Sequence, residues 1–285
     1  MDAPQPVTVV IPARDAEATI DAQLEAIARQ DHAGTIEVVV VDNGSVDRTA
    51  ERARSWADRL PGVRVVSGDE RHSPGYARNL GIRAASSELV VLCDADDVVD
   101  RSWVRTMAAA LEDADLVAGG LAAWSERDRA EGARAWPFVS GIDFLPGLST
   151  ASAGVRRTVW RAVGGFDEHL LTGEDLDFAW RVQLAGYRFV DCPGAFVFYR
   201  APTSPGRRFR RSYRYGLSLP LLYRRYRGSG MGRRPIVRAV GRDAHLVVRS
   251  RRAFGHEDLW LEWWDEVGNS CGRLVGSIRA RALFL

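Results

Sequence analysis

The first half of the chain alternates short β-branched runs with segments of helical spacing, and no other feature narrows the fold as much. Residues 7–11 form an apolar run that Pro12 is expected to end, and similar runs follow at 36–41, 63–67, 89–93 and from 116. Residues 16–29 place Ala16, Ile20, Leu24 and Ile27 on one helical face. Further helices are expected to about residue 60, capped by Asp47 or Ser45, then over 76–85, and over 102–112 behind a Ser cap. Strands joined by helices of this length cross over right-handed, which predicts a mostly parallel sheet with helices on both faces. In such a sheet the ligand crevice lies at the carboxyl ends of the strands. Asp42 follows the second run and Asp94, Asp96 and Asp97 follow the fourth, so the polar clusters fall at that edge.

The alternation weakens after about residue 122. Residues 124–149 read as loops, 156–163 and 175–185 as helices, the second closed by Gly186, and 187–190 and 195–199 as strands. Charge then changes abruptly. The 285-residue chain has no Lys, so all 39 basic residues are Arg, whose guanidinium grips phosphate or carboxylate with two donors. Residues 1–199 carry 20 Arg against 31 acids, while residues 200–252 carry 16 Arg against one. The expected organisation is an acidic α/β domain over 1–200 and a basic, mainly helical extension over 201–285. No apolar stretch is long enough to span a membrane, and the first ten residues lack the pattern of a secretory signal. A cytoplasmic protein is therefore expected, with the inner face of the membrane as a second possible location. Cys93, Cys192 and Cys271 form no C-x-x-C pair and read as packing residues.

Three segments carry chemistry. Cys93-Asp94-Ala95-Asp96-Asp97 sets three carboxylates directly after an apolar strand, where their repulsion needs a positive partner. All-oxygen ligands suit Mg²⁺ or Mn²⁺, and a metal-bound diphosphate is the natural occupant; the plainer reading is helix capping. Gly173-Glu174-Asp175 opens a helix, where acids also serve as caps. Pro74-Gly75-Tyr76-Ala77-Arg78-Asn79-Leu80-Gly81 puts Arg and Asn on a first helical turn behind a Gly-containing loop, which suits diphosphate contact.

Together these segments resemble family 2 glycosyltransferases of the nucleotide-sugar-binding GT-A fold. Residues 9–17 are similar to V-I-P-x-x-N-x-E, residues 41–49 to V-D-D-G-S-x-D-x-T, 75–81 to G-x-A-R-N-x-G and 94–96 to D-x-D. Residues 164–168 and 174–181 are similar to G-G-F-D-E and E-D-x-D-x-x-W-R. The resemblance implies that Pro12, Ala13, Arg14 and Glu17 line the nucleotide pocket and that Asp42 bonds the base, usually uracil. Arg78 would contact base or diphosphate, Asp94 the ribose or sugar, and Asp96 a Mn²⁺ or Mg²⁺ ion. Asp175 would be the general base of an inverting transfer, with Glu174 supporting it or touching the acceptor. Asp15 and Asn43 replace the family's Asn and Asp, Ser152 stands where Asn is common, and no His follows Phe198-Tyr199-Arg200 to complete a metal site. His72 and His169 read as loop residues.

The acceptor is not legible; a lipid-linked glycan and a secondary metabolite both fit. The Arg-aromatic run after Arg200 is compatible with an acceptor contact, an anionic membrane surface or packing on the acidic domain, and nucleic acid is not expected. The Trp-containing tail also suits homodimer contact. Two other functions stay open: a sugar-phosphate nucleotidylyltransferase, whose G-x-G-T-R loop is missing after the first strand, and a non-catalytic binding module.

Overall fold

The computed structural model describes residues 5–124, 135–137, 142–232 and 256–284. Residues 233–252 of the Arg-rich run and most of the 124–149 loop region lie outside the described residues. The described chain runs β1 (Val7–Ala13), α1 (Ile20–Ala28), β2 (Ile36–Asp42), α2 (Thr49–Arg54), β3 (Val63–Ser67), α3 (Pro74–Ala84), β4 (Leu89–Leu92) and β5 (Val98–Val99). It continues through α4 (Trp103–Glu112), β6 (Leu116–Ala123), β7 (Trp136–Pro137), β8 (Ala153–Arg156), α5 (Arg157–Ala162), α6 (Glu174–Leu184), β9 (Phe189–Tyr199), α7 (Pro205–Tyr226) and α8 (Glu257–Ala280).

The strands form one sheet in the order β3-β2-β1-β4-β8-β6-β9-β5, with β7 beside β6. The α/β sheet read from the alternation is present. Its first half, β3-β2-β1-β4, is parallel, as is the β6–β9 pair. Strand β8 runs antiparallel between β4 and β6, and β5 and β7 are antiparallel at their neighbours. The β-branched runs are buried on both faces: Val7, Val9, Val10, Ile11 and Val38–Val41 are fully inaccessible. Helix α4 shows why its segment is helical, since Trp103, Val104, Met107 and Leu111 lie on one inward face. Each such buried side chain contributes about 1.5–3 kcal/mol.

Several boundaries differ from the sequence reading. Pro12 does not end β1, because β4 pairs only as far as Val10 and the missing N–H faces no ladder partner there. Helix α1 starts at Ile20. Residues 16–19 form a turn whose Ala16 and Glu17 N–H groups donate to Thr49 Oγ1 (2.8 Å) and Asp47 Oδ2 (3.0 Å) on the facing loop. Asp47, not Ser45, accepts the N–H of Thr49 at the start of α2 (3.0 Å), and the helix stops at Arg54, after which turns seat Trp56 and Leu60 in the core. Ser102 bonds Asp100 instead of capping α4. The two expected strands after Tyr187 are one strand, β9, with a register shift opposite Gly119–Gly120. Cys93 is buried as a packing residue, while Cys271 is exposed.

The chain divides into two compact units. The first comprises residues 1–140, 146–169 and 174–200, and holds the sheet. The second comprises 141–145, 170–173 and 201–285. In the second unit α7 and α8 pack side by side in parallel, with Gly268 against Phe209, Gly272 against Tyr213 and Gly276 against Leu217. A Cβ at Gly268 would sit 2.5 Å from the Phe209 carbonyl oxygen, so the helix backbones touch where any side chain would hold them apart. Asp265 secures the pair by accepting from Arg208 (2.7 Å), Arg211 (3.1 Å) and Ser212 (2.7 Å). Among the described residues no helix is long and apolar enough to cross a membrane.

Candidate functional site

The site grows from the end of β4. Strand pairing stops at Leu92, and the chain turns through Asp94–Asp97 before β5 begins at Val98. Carboxylate oxygens of Asp94, Asp96 and Asp97 all lie within 4.8 Å of one another. Gln23 of α1 holds this turn at both ends. Its side chain is fully buried, donates to the Asp94 carbonyl at 2.9 Å and accepts from the Val99 N–H at 3.0 Å. A polar residue on the apolar face of α1 was the available signal for this clamp, and the sequence reading passed over it.

The three acids differ. Asp94 and Asp96 reach solvent, whereas Asp97 is 1% exposed. Burial, then the neighbouring Asp94 and Asp96 charges, pushes the Asp97 carboxyl up to about 8, and burial followed by the Asp94 charge raises Asp96 as well. One Asp97 oxygen accepts the Arg200 N–H at 2.9 Å, and the other is buried without a hydrogen-bond partner. An all-carboxylate donor set containing an unmet buried oxygen fits a hard divalent cation, and Asp97 joins Asp96 as a candidate ligand.

Arg78 of α3 ties this cluster to α6. Its Nη2 donates to Asp94 at 2.9 Å and its Nη1 to Glu174 at 2.7 Å, with the Arg78 and Glu174 side chains both nearly buried. Burial works against the Arg78 charge, and the carboxylates of Asp94, Glu174 and Asp175 more than offset it. Both Nη arms are thus taken by protein carboxylates, and Arg78 is placed as a bridge inside the site. Beside it, Asp175 is half-buried and pushed up to about 7, chiefly by desolvation and then by the Glu174 charge. The bridge brings Arg78, Asp94, Glu174 and Asp175 together with Asp96 and Asp97.

The remaining candidates lie at the β1–β2 edge. Ala13 pairs with Asp42, with Pro12 one position earlier. Asp42 Oδ1 accepts the Ser45 N–H at 3.1 Å, fixing the turn after β2. Arg14 is half-exposed. Glu17 is committed to Arg48, accepting its Nε at 2.8 Å and its backbone N–H at 3.1 Å, and that pairing lowers its pKa. Asn43 is buried, donates to the Ser73 carbonyl and keeps an Oδ1 with no partner among the described residues. Ser152 is internal to the fold, accepting from Trp103 Nε1 and donating to the Ala195 carbonyl, each at 2.9 Å. His72 and His169 contact Asn43 and Arg71 in loops and take no part in the acidic cluster.

Residues 8–157 match Glycosyl transferase family 2, and residues 89–255 match Glycosyl transferase family group 2. Glycosyltransferase AglE of Haloferax volcanii is 28% identical over 190 residues, covering 64% of this chain and 62% of that protein. The chain spans between 27% and 62% of the length of the first three curated relatives. Among solved structures, the mannosyltransferase PcManGT of Pyrobaculum calidifontis, in complex with GDP-Man and Mn²⁺, shares 21% identity at TM-score 0.64, over 94% of this chain and 86% of that one. S. aureus TarS 1–349 in complex with UDP shares 19% identity at TM-score 0.57, over 96% and 91%. At these identities the structural likeness is one of fold, the GT-A arrangement. The family match covers more than half of the sequence, and its span takes in the β1–β2 edge, Arg78 and the acidic turn, so the chain belongs to glycosyl transferase family 2.

Proposed function

We propose that the protein is an inverting glycosyltransferase that moves one sugar from a nucleoside diphosphate donor, UDP-linked in the first instance, to an acceptor hydroxyl. The observation that carries this reading is the Arg78 bridge, which joins an acidic cluster suited to a metal-bound diphosphate to Glu174, the neighbour of an Asp175 carboxyl pushed up to about 7. A UDP complex of one structural neighbour and a GDP-Man and Mn²⁺ complex of another support the donor class.

Each residue has a task. Pro12, Ala13 and Asp42 frame the base and ribose, with Arg14 at the open side, while Glu17 holds Arg48 and so keeps the loop after β1 against that after β2. Asp175 takes the proton from the acceptor hydroxyl as its oxygen attacks the anomeric carbon, and the bond from that carbon to the diphosphate oxygen breaks on the opposite face. Attack and departure on opposite faces invert the configuration. A bound Mn²⁺ or Mg²⁺ would supply positive charge to the leaving diphosphate, and Asp96 and Asp97, with Asp94, are the residues that would hold it. Glu174 fixes Arg78 and keeps negative charge beside Asp175, raising its affinity for the proton it receives.

Incubation with a panel of nucleoside diphosphate sugars and Mn²⁺, read for free nucleoside diphosphate, tests the proposal. Slow hydrolysis of one donor that Asp96→Asn and Asp175→Asn each abolish is expected. Binding without turnover in the wild type would favour the non-catalytic module. With pyrophosphate added, release of a sugar 1-phosphate together with a nucleoside triphosphate, the reverse of a nucleotidyl transfer, would favour the nucleotidylyltransferase.

A further inference from the structure

We infer that Arg200 is a diphosphate-binding residue of the donor site, held in place by Trp124. The inference rests on the nucleoside diphosphate donor proposed above and assigns that donor's phosphates a protein contact outside the motifs of the sequence reading.

Strand register brings the two residues beside the acidic turn. Ala123 pairs with Tyr199 across β6 and β9, so Trp124 and Arg200 each follow the last paired position. Val98 pairs with Phe198 across the antiparallel β5 and β9, which sets Asp97 opposite Tyr199, one residue before Arg200, and the Arg200 N–H donates to Asp97 Oδ1 at 2.9 Å. The backbone of Arg200 thus anchors a carboxylate of the cluster while its side chain turns elsewhere. Its guanidinium carbon lies 3.7 Å from the centroid of a Trp124 ring, a face-on stack.

That stack leaves the donors unused. All five N–H bonds of a guanidinium lie in its plane, so the face laid on the indole spends none of them. Among the described residues the Arg200 side chain makes no ion pair, and its Nε is buried without a partner. Its charge is nevertheless felt by both Asp96 and Asp97. A half-buried Arg that serves only to balance three carboxylates would be expected to bond one of them. Arg200 instead presents an unpaired fork beside the acids, the geometry that receives phosphate oxygens with two parallel hydrogen bonds.

Calorimetric titration of UMP and UDP into the wild type, Arg200→Gln and Arg200→Lys, in EDTA and again with Mn²⁺, tests this; GMP and GDP replace them if the guanine nucleotides bind tighter. In Arg200→Gln, UDP affinity should fall about tenfold to a hundredfold, the range of charge-assisted hydrogen bonds, while UMP stays within about twofold. The preference for the diphosphate over the monophosphate then collapses. Arg200→Lys should give an intermediate preference, because it keeps the charge and loses the fork. Trp124→Leu, which leaves Arg200 intact, should reduce the preference as well. An Arg that only supports the fold would lower the melting temperature with the preference unchanged, and that result, or equal losses for both nucleotides, overturns the inference. A wild type that binds neither UDP nor GDP overturns the donor reading itself.

Discussion

Replacing Arg78 by Met removes a side chain that bonds the acidic turn and α6 at once. The two arms are unequal: Glu174 is 8% exposed at its side chain, while Asp94 is 31% exposed. Breaking a buried pair by deleting one partner costs about 3–5 kcal/mol, because the other charge stays buried and unmet. The partly solvated Asp94 arm adds at most about 1 kcal/mol. For a unit of this size each kcal/mol corresponds to about 2–4 °C, so Arg78→Met should lower the melting temperature by about 6–24 °C. Urea unfolding followed by near-ultraviolet circular dichroism gives the free energy directly. Adding Glu174→Gln to Arg78→Met removes the stranded carboxylate and should restore most of the loss. A single variant within about 1 kcal/mol of wild type, or a double variant less stable than the single, would refute the bridge as the joint of the site.

Four further outcomes follow from the structure. Asp175→Asn should reduce turnover by about 10²- to 10⁴-fold with donor affinity little changed, since a general base acts on the acceptor. In the wild type the rate should climb as pH passes about 7, because desolvation holds Asp175 protonated below that point and only the ionised carboxyl accepts a proton; a flat profile from pH 6 to 8 speaks against it. Asp97, pushed up to about 8, keeps a proton that the unfolded chain sheds near pH 4, so in EDTA it should make stability fall by about 1.4 kcal/mol per pH unit between those values and level off above. Urea midpoints from pH 5 to 9 should show Asp97→Asn lacking that component, and equal slopes in the two proteins would count against a buried, protonated Asp97. Gly272→Ala drives a Cβ into the Tyr213 carbonyl at the α7–α8 contact, and should cost about 1–3 kcal/mol despite the better helix propensity of Ala. A more stable Gly272→Ala protein would show that the two helix backbones do not touch there.

The parallel half of the sheet was legible because its strands are apolar on both faces and its turns are marked by Asp, Asn and Gly. The antiparallel half was not. Strand β8 is four residues long, β5 is two, and Val98–Val99 carries no periodic signal apart from the acids before it. The residue types of the site were readable because three adjacent carboxylates demand a counter-charge. Their division of labour was not, since Asp96 and Asp97 differ only in burial, and burial depends on β9 arriving from a hundred residues away. The role of Arg78 changed for the same reason: its partner Glu174 lies on a distant helix, and sequence spacing says nothing of their meeting. Gln23 and Arg200 act on the acidic turn through one hydrogen bond or two apiece, which no local pattern announces.

The central claim is an in-line displacement with Asp175 as base, and the anomeric configuration of the released sugar tests it most directly. Rapid proton NMR of donor hydrolysis, recorded before mutarotation, should show the β-anomer forming first from an α-linked donor, with no such signal in Asp175→Asn. First appearance of the α-anomer, or unchanged hydrolysis in Asp175→Asn, would contradict the account.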